Sequence, residues 1–237
     1  MIRHIPTGSL SPALCFRQKK DLKLNNVLIE WKKAIIEVVK DVQTEYSCNK
    51  GLFLTEGDVE CHLYKRLTEK PIFSEYGETK TDSCKSGYVH SQVTWFKESK
   101  PSGYEVDLTI LNPANLKIEH LELIEDIPHK GFFHDGIVTA IEIKFIRNSD
   151  DSNIKNKAIE DYNKIIRLKA DKKSNIENGV YSNVSDEEML FIPIVVCKTK
   201  EIYDIAYKQI SSTINKDHVG IIPIIFCSDA IKVFDNT

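Results

Sequence analysis

Two apolar runs near the C-terminus constrain this chain more than any other feature. They are Met189 to Cys197 (MLFIPIVVC) and Gly220 to Cys227 (GIIPIIFC). Between them Ile202, Ile205, Ala206, Ile210 and Ile214 recur at three- and four-residue steps, the spacing of one helix face. Strand, amphipathic helix and strand make a β-α-β unit, whose parallel strands are buried on both faces and so carry almost no polar residue. Pro193 and Pro223 interrupt the two runs and predict an edge, a bulge or a strand end at each.

Upstream, three segments alternate as strands do. Tyr88–Phe96 and Tyr104–Leu111 flank a KESKPSG turn and predict an antiparallel hairpin, and Ile137–Ile146 is the third strand. Helices are predicted from Asn26, where Val27, Leu28, Trp31, Ala34, Ile35, Val38, Val39 and Val42 form a stripe, and after Thr55, where Asp58 completes a capping box and Val59, Leu63 and Leu67 face inward. A third helix is predicted after Asp151, lined by Ala158, Ile159, Tyr162, Ile165 and Ile166. The expected fold is α/β, a mixed central sheet flanked by helices. Residues 1–24 read as an irregular N-terminal arm and 25–237 as a single domain. Residues 72–87 read as loop, and residues 112–136 form a long connection whose middle is either a strand or a short helix.

The chain's 237 residues and 41% hydrophobic content suit one larger globular domain. No run reaches the length of a transmembrane helix, and Met1 to Gly8 lacks the apolar core of a secretory signal, so a cytoplasmic protein is expected. Six scattered cysteines without CxxC pairs read as thiols, with Cys197 and Cys227 as small buried hydrophobes. His120, His129 and His134 lack the partners of a zinc site. A net charge of −3 argues against a surface that grips nucleic acid everywhere, although Arg17 to Lys23 and Lys155 to Lys173 are local basic stretches.

Alternation puts Glu105, Asp107 and Thr109 on one side of the second strand and Val106, Leu108 and Ile110 on the other; in the third strand Glu142 and Lys144 emerge together. Asp is disfavoured inside a strand, so Asp107 amid Val, Leu and Ile asks for a partner or a metal. With these two strands adjacent, Asp107, Glu142 and Lys144 converge. Two carboxylates can hold Mg²⁺ through hard oxygen ligands, and a neighbouring lysine can orient or help deprotonate a water and offset charge growing on a phosphate.

These residues resemble the signature of the PD-(D/E)xK nuclease superfamily, whose fold is restriction-endonuclease-like. Val106-Asp107 stands at the PD position and Glu142-Ile143-Lys144 at the (D/E)xK position. Glu60 followed by Leu63 and Leu67 is similar to the family's upstream helix acid, and Lys157 with Asp161 to the Lys and Asp of its downstream helix. The resemblance implies a Mg²⁺-dependent endonuclease acting on nucleic acid, DNA above RNA, with Mn²⁺ able to substitute. It makes Asp107, Glu142 and Glu60 the metal ligands and Lys144 the residue that positions water. A homodimer would serve double-strand cutting. The Pro of PD is replaced by Val106, and the long separation of Asp107 from Glu142 makes 112–136 an insertion, with Asp135 as a reserve ligand. The alternative is a catalytically silent nucleic-acid-binding or assembly module of the same fold. Glu60 alone also reads as a solvent-facing helix acid, Lys157 with Asp161 as a surface ion pair, and Glu56 as a partner of its helix dipole.

Overall fold

A computed structural model describes residues 12–80, 84–97, 100–117, 133–134, 136–147, 150–177, 189–215 and 218–235. Four helices carry the flanks: α1 (Pro12–Cys48), α2 (Glu56–Thr68), α3 (Asp151–Glu177) and α4 (Lys200–Thr213). Two short strands, β1 (Gly77–Glu78) and β2 (Lys85–Ser86), pair with each other inside the stretch expected to be loop. The main strands are β3 (Val89–Lys97) and β4 (Lys100–Leu111), then β7 (Val138–Ile146), β8 (Met189–Cys197), β9 (Ile224–Cys227) and β10 (Ala230–Val233). Between β4 and β7 the minor pair β5 (Leu116–Lys117) and β6 (Phe133–His134) closes an excursion. Most of the expected insertion, with Asp135, His120 and His129, lies outside the described residues.

The main sheet is six-stranded and mixed, in the order β10-β9-β8-β7-β4-β3. The predicted hairpin is the antiparallel β3–β4 pair; β4 pairs antiparallel with β7, and the α3 and α4 crossovers make β7, β8 and β9 parallel. The predicted β-α-β unit is therefore present, and every residue of β8 is buried, as a central parallel strand requires. Pro193 sits inside β8 rather than at an edge or end. It stands opposite Pro223, between the Phe191–Ile221 bridge and the Ile194–Ile224 pair, so both prolines fall where the β8–β9 ladder is interrupted and neither breaks an existing bond.

Helices cover both faces. Trp31, Ile35, Val38, Val39 and Val42 of α1 and Val59, Leu63 and Leu67 of α2 pack on Ile141, Ile143, Ile192, Ile194 and Phe226. On the other face Tyr162, Ile165 and Leu168 of α3 meet Ala140, Met189 and Phe191, while Ala206 and Ile210 of α4 meet Val195 and Ile225. The capping box is formed, with the Thr55 hydroxyl accepting from Asp58 N–H and the Asp58 carboxylate from Thr55 N–H.

The N-terminal reading needs correction. Residues 12–24, read as part of an irregular arm, are helical, because α1 begins at Pro12, a residue suited to a first helical position, and no later Gly or Pro interrupts it. Asn26, the expected helix start, is consequently an interior residue of α1. β10 was not foreseen; the two residues Ser228 and Asp229 turn the chain back so that Ala230 pairs with Cys227.

Candidate active site

The β4–β7 ladder runs from Leu111↔Val138 to Leu108↔Ile141 and stops there. The next step of the same register would join Asp107 to Glu142, so both expected acids stand where the two strands part. In a strand alternate N–H groups point to the same side, which leaves Ile143 and Phe145 facing the gap without a strand partner. Side chains replace the strand: Ile143 N–H donates to Asp107 Oδ2 at 2.7 Å and Phe145 N–H to Glu56 Oε2 at 2.9 Å. An unmet N–H here would be costly, so the gap and the carboxylates explain each other.

Glu142 is 1% exposed and points to α3. Lys164 Nζ donates to its Oε2 at 2.7 Å and to the Glu105 carbonyl at 2.6 Å. The other oxygen, Oε1, is buried without a hydrogen bond, and so is Oδ2 of Asp161. Lys144 Nζ lies 3.6 Å from Glu56 Oε2, 3.8 Å from Glu160 Oε2 and 3.9 Å from Asp161 Oδ2. From α2, Glu60 Oε2 accepts the Gln92 amide at 2.9 Å.

Crowded, largely buried carboxyls titrate abnormally. Burial, with Asp107 and Asp161 adding to it, raises Glu142 to about 8 against the opposing pull of Lys164. Burial raises Asp161 to about 6, opposed by Lys144 and Lys164. Asp107 is also raised by burial, held back by the Ile143 N–H and Lys164. Glu60 is raised by burial, against the Gln92 hydrogen bond, with Asp107, Glu105 and Glu56 pushing the same way as burial. Burial acts to lower Lys144, but Asp161, Glu56, Glu160 and Asp107 outweigh it and the ammonium ends above its ordinary value. Strong perturbation of several groups at one place is the mark of a candidate site.

The structure places Asp107 and Glu142 where β4 and β7 part, with Asp107 within electrostatic reach of both Glu142 and Lys144. Glu60 is within electrostatic reach of Asp107, tied to Gln92. The expected clean alternation of β4 is broken: Val106 packs with Trp95 on the α3 face, whereas Leu108 and Ile110 pack on the α1–α2 face. Among the described residues no group of three His, Cys, Asp or Glu side chains is close enough to form a ready-made ion cage.

Sequence reasoning missed Glu56, Gln92 and Lys164. Glu56 lies one turn before Glu60, and Lys164 three residues after Asp161, so helical spacing carried a signal for both. Lys157, taken with Asp161, is exposed and helps to lower the Asp150 carboxyl. No family model, curated protein or solved structure matches the chain. None of the described helices is long and apolar enough to cross a membrane.

Proposed function

We propose that the chain is a metal-dependent nuclease of PD-(D/E)xK type, restriction-endonuclease-like in fold, that hydrolyses phosphodiester bonds in DNA. One observation carries the reading: Asp107 and Glu142 occupy the first register step beyond the β4–β7 ladder, with Lys144 two residues further along β7. The order helix, antiparallel hairpin, E-x-K strand, helix and parallel strand supports that reading.

The donor types present suit a divalent ion, although among the described residues no three of them already stand as a cage. Glu142 Oε1 is a buried oxygen with no donor, and the surrounding groups are carboxylates, the hard ligands that Mg²⁺ and Mn²⁺ take. Asp107 and Glu142 would hold the ion, and Glu60 would complete the shell or orient water. A bound ion would polarise a phosphate oxygen and lower the pKa of water.

Lys144 keeps its proton at neutral pH because four carboxylates stabilise the ammonium. Its part is therefore to donate a hydrogen bond to the attacking water and to offset charge growing on the phosphate, not to accept a proton. Asp161 and Glu160 hold that ammonium from α3, and Glu56 holds it from α2. A homodimer would present two such clefts to the two strands of a duplex.

The test is incubation of supercoiled plasmid, linear duplex and single-stranded RNA with Mg²⁺ or Mn²⁺, beside an EDTA control and the Asp107→Asn and Lys144→Ala variants. Ion-dependent nicking of DNA, lost in both variants, is the expected result. Absence of cleavage of every substrate in both ions overturns it. A second reading, a non-cutting nucleic-acid-binding module, draws on Lys164, a built-in cation on the carboxylate that an ion would need. DNA retained in a gel shift without cleavage would favour that reading.

A further inference from the structure

Gln92 has φ of 52°, the one positive value among the described non-glycine residues. It lies inside β3, where a left-handed residue costs free energy and Gly or Asn would be the ordinary choice. Its place in the sheet is specific. The β3–β4 ladder pairs Ser91 with Leu108 and Val93 with Val106, so the intervening step sets Gln92 opposite Asp107. Side-chain alternation reverses at this step on both strands. Val89 packs on the α1–α2 face and Trp95 on the α3 face, matched by Ile110 and Val106 across the ladder. The Gln92 side chain reaches α2 and donates to Glu60 Oε2 at 2.9 Å.

We propose that Gln92 is a positioning residue for Glu60: its left-handed backbone turns β3 over opposite Asp107 so that its amide fixes one oxygen of the Glu60 carboxylate beside the cleft. The choice of side chain follows from the chemistry. An amide orients the carboxylate while leaving its charge intact, which a lysine would neutralise and a glutamate would oppose. Glycine or asparagine would relieve the backbone, but neither carries an amide on two methylenes. Strain retained at one residue inside an acidic cluster is the pattern of a conformation kept for a site. What Glu60 does there rests on the nuclease reading; that Gln92 aims it does not.

The test uses the full chain, with Mn²⁺ alone as probe, in a four-way comparison of wild type, Gln92→Gly, Glu60→Ala and the double variant. Gly keeps the backbone geometry without strain, so Gln92→Gly should melt no lower than wild type in EDTA. Its Mn²⁺ Kd by calorimetry should rise about tenfold, the lower end of the loss seen when a residue orienting a metal ligand is removed. In the Glu60→Ala background the same change should leave the Kd where Glu60→Ala alone puts it. An unchanged Kd in Gln92→Gly, an equal loss in both backgrounds, or a Tm lowered by more than about 5 °C, the size of a structural defect, each overturns the inference. A wild type that binds Mn²⁺ yet cleaves nothing sinks the nuclease reading and leaves this comparison intact. A wild type that binds no Mn²⁺ overturns both.

Discussion

Lys164 of α3 reaches across the cleft to Glu142 of β7, and their 2.7 Å contact is the charge pairing of a carboxylate that is 1% exposed. Replacing one member of such a pair leaves the other buried and alone, which costs about 3–5 kcal/mol, whereas replacing both with neutral groups costs far less. Lys164→Met should therefore lower Tm sharply in EDTA above about pH 8, where Glu142 is ionised, and Glu142→Gln combined with it should restore most of the loss. Thermal melts of the two single variants and the double variant measure this. Additive losses would show that the two side chains do not depend on each other.

The raised carboxyls set a pH dependence of stability opposite to that of an ordinary salt-bridged acid. Glu142 at about 8 and Asp161 at about 6 hold protons in the folded state that they would release in the unfolded chain. Through this interval the folded state binds more protons, so unfolding free energy falls as pH rises. Their favourable contribution is complete below the ordinary carboxyl range and is lost as pH passes about 6 and then about 8. Melts in EDTA should show Tm declining between these values, and Glu142→Gln should flatten the upper part of the decline. A Tm that rises with pH across the same range would contradict the burial of these groups.

Lys144 stands among acids whose exposures differ. Glu56 and Glu160 are partly solvated, while Asp161 is 7% exposed with an oxygen that accepts no hydrogen bond. Lys144→Ala should then abolish cleavage, by about 10²–10³-fold for the loss of one charge-stabilising donor, with only a modest fall in Tm because Asp161 can take up a proton. Steady-state cleavage rates and melts measured on one preparation separate the two effects. Cleavage at the wild-type rate removes Lys144 from the mechanism.

Much of this cleft was legible because it departs from strand chemistry. Asp107 is conspicuous among Val, Leu and Ile, and Glu142 and Lys144 share a parity that alternation makes readable. The apolar runs around Pro193 and Pro223 announced the parallel strands for the same reason, since only double burial tolerates so few polar residues. What stayed hidden depends on tertiary placement. The reversal at Gln92 is a single backbone dihedral, and without it the face on which Val106 lies cannot be assigned. Lys164 and Glu56 look like surface charges of amphipathic helices until α2 and α3 are laid on opposite faces of the sheet. The start of α1 was obscured because the polar stretch before Asn26 carries no apolar stripe, although its residues are good helix formers.

Asp107 has two tasks that one pair of substitutions can separate. Its Oδ2 accepts the Ile143 N–H where β4 leaves β7, and the nuclease reading also makes it a metal ligand. Asn keeps an acceptor oxygen of the same shape but not the charge, so Asp107→Asn should fold with a Tm close to that of wild type while losing Mn²⁺ affinity. Asp107→Ala removes the acceptor as well, stranding the Ile143 N–H at about 1–3 kcal/mol, and should melt lower than Asp107→Asn. Calorimetry with Mn²⁺ and paired thermal melts check the two halves. Equal Tm values in the two variants would show that the Ile143 contact contributes no stability, and Mn²⁺ binding unchanged in Asp107→Asn would remove Asp107 from the ion's ligands.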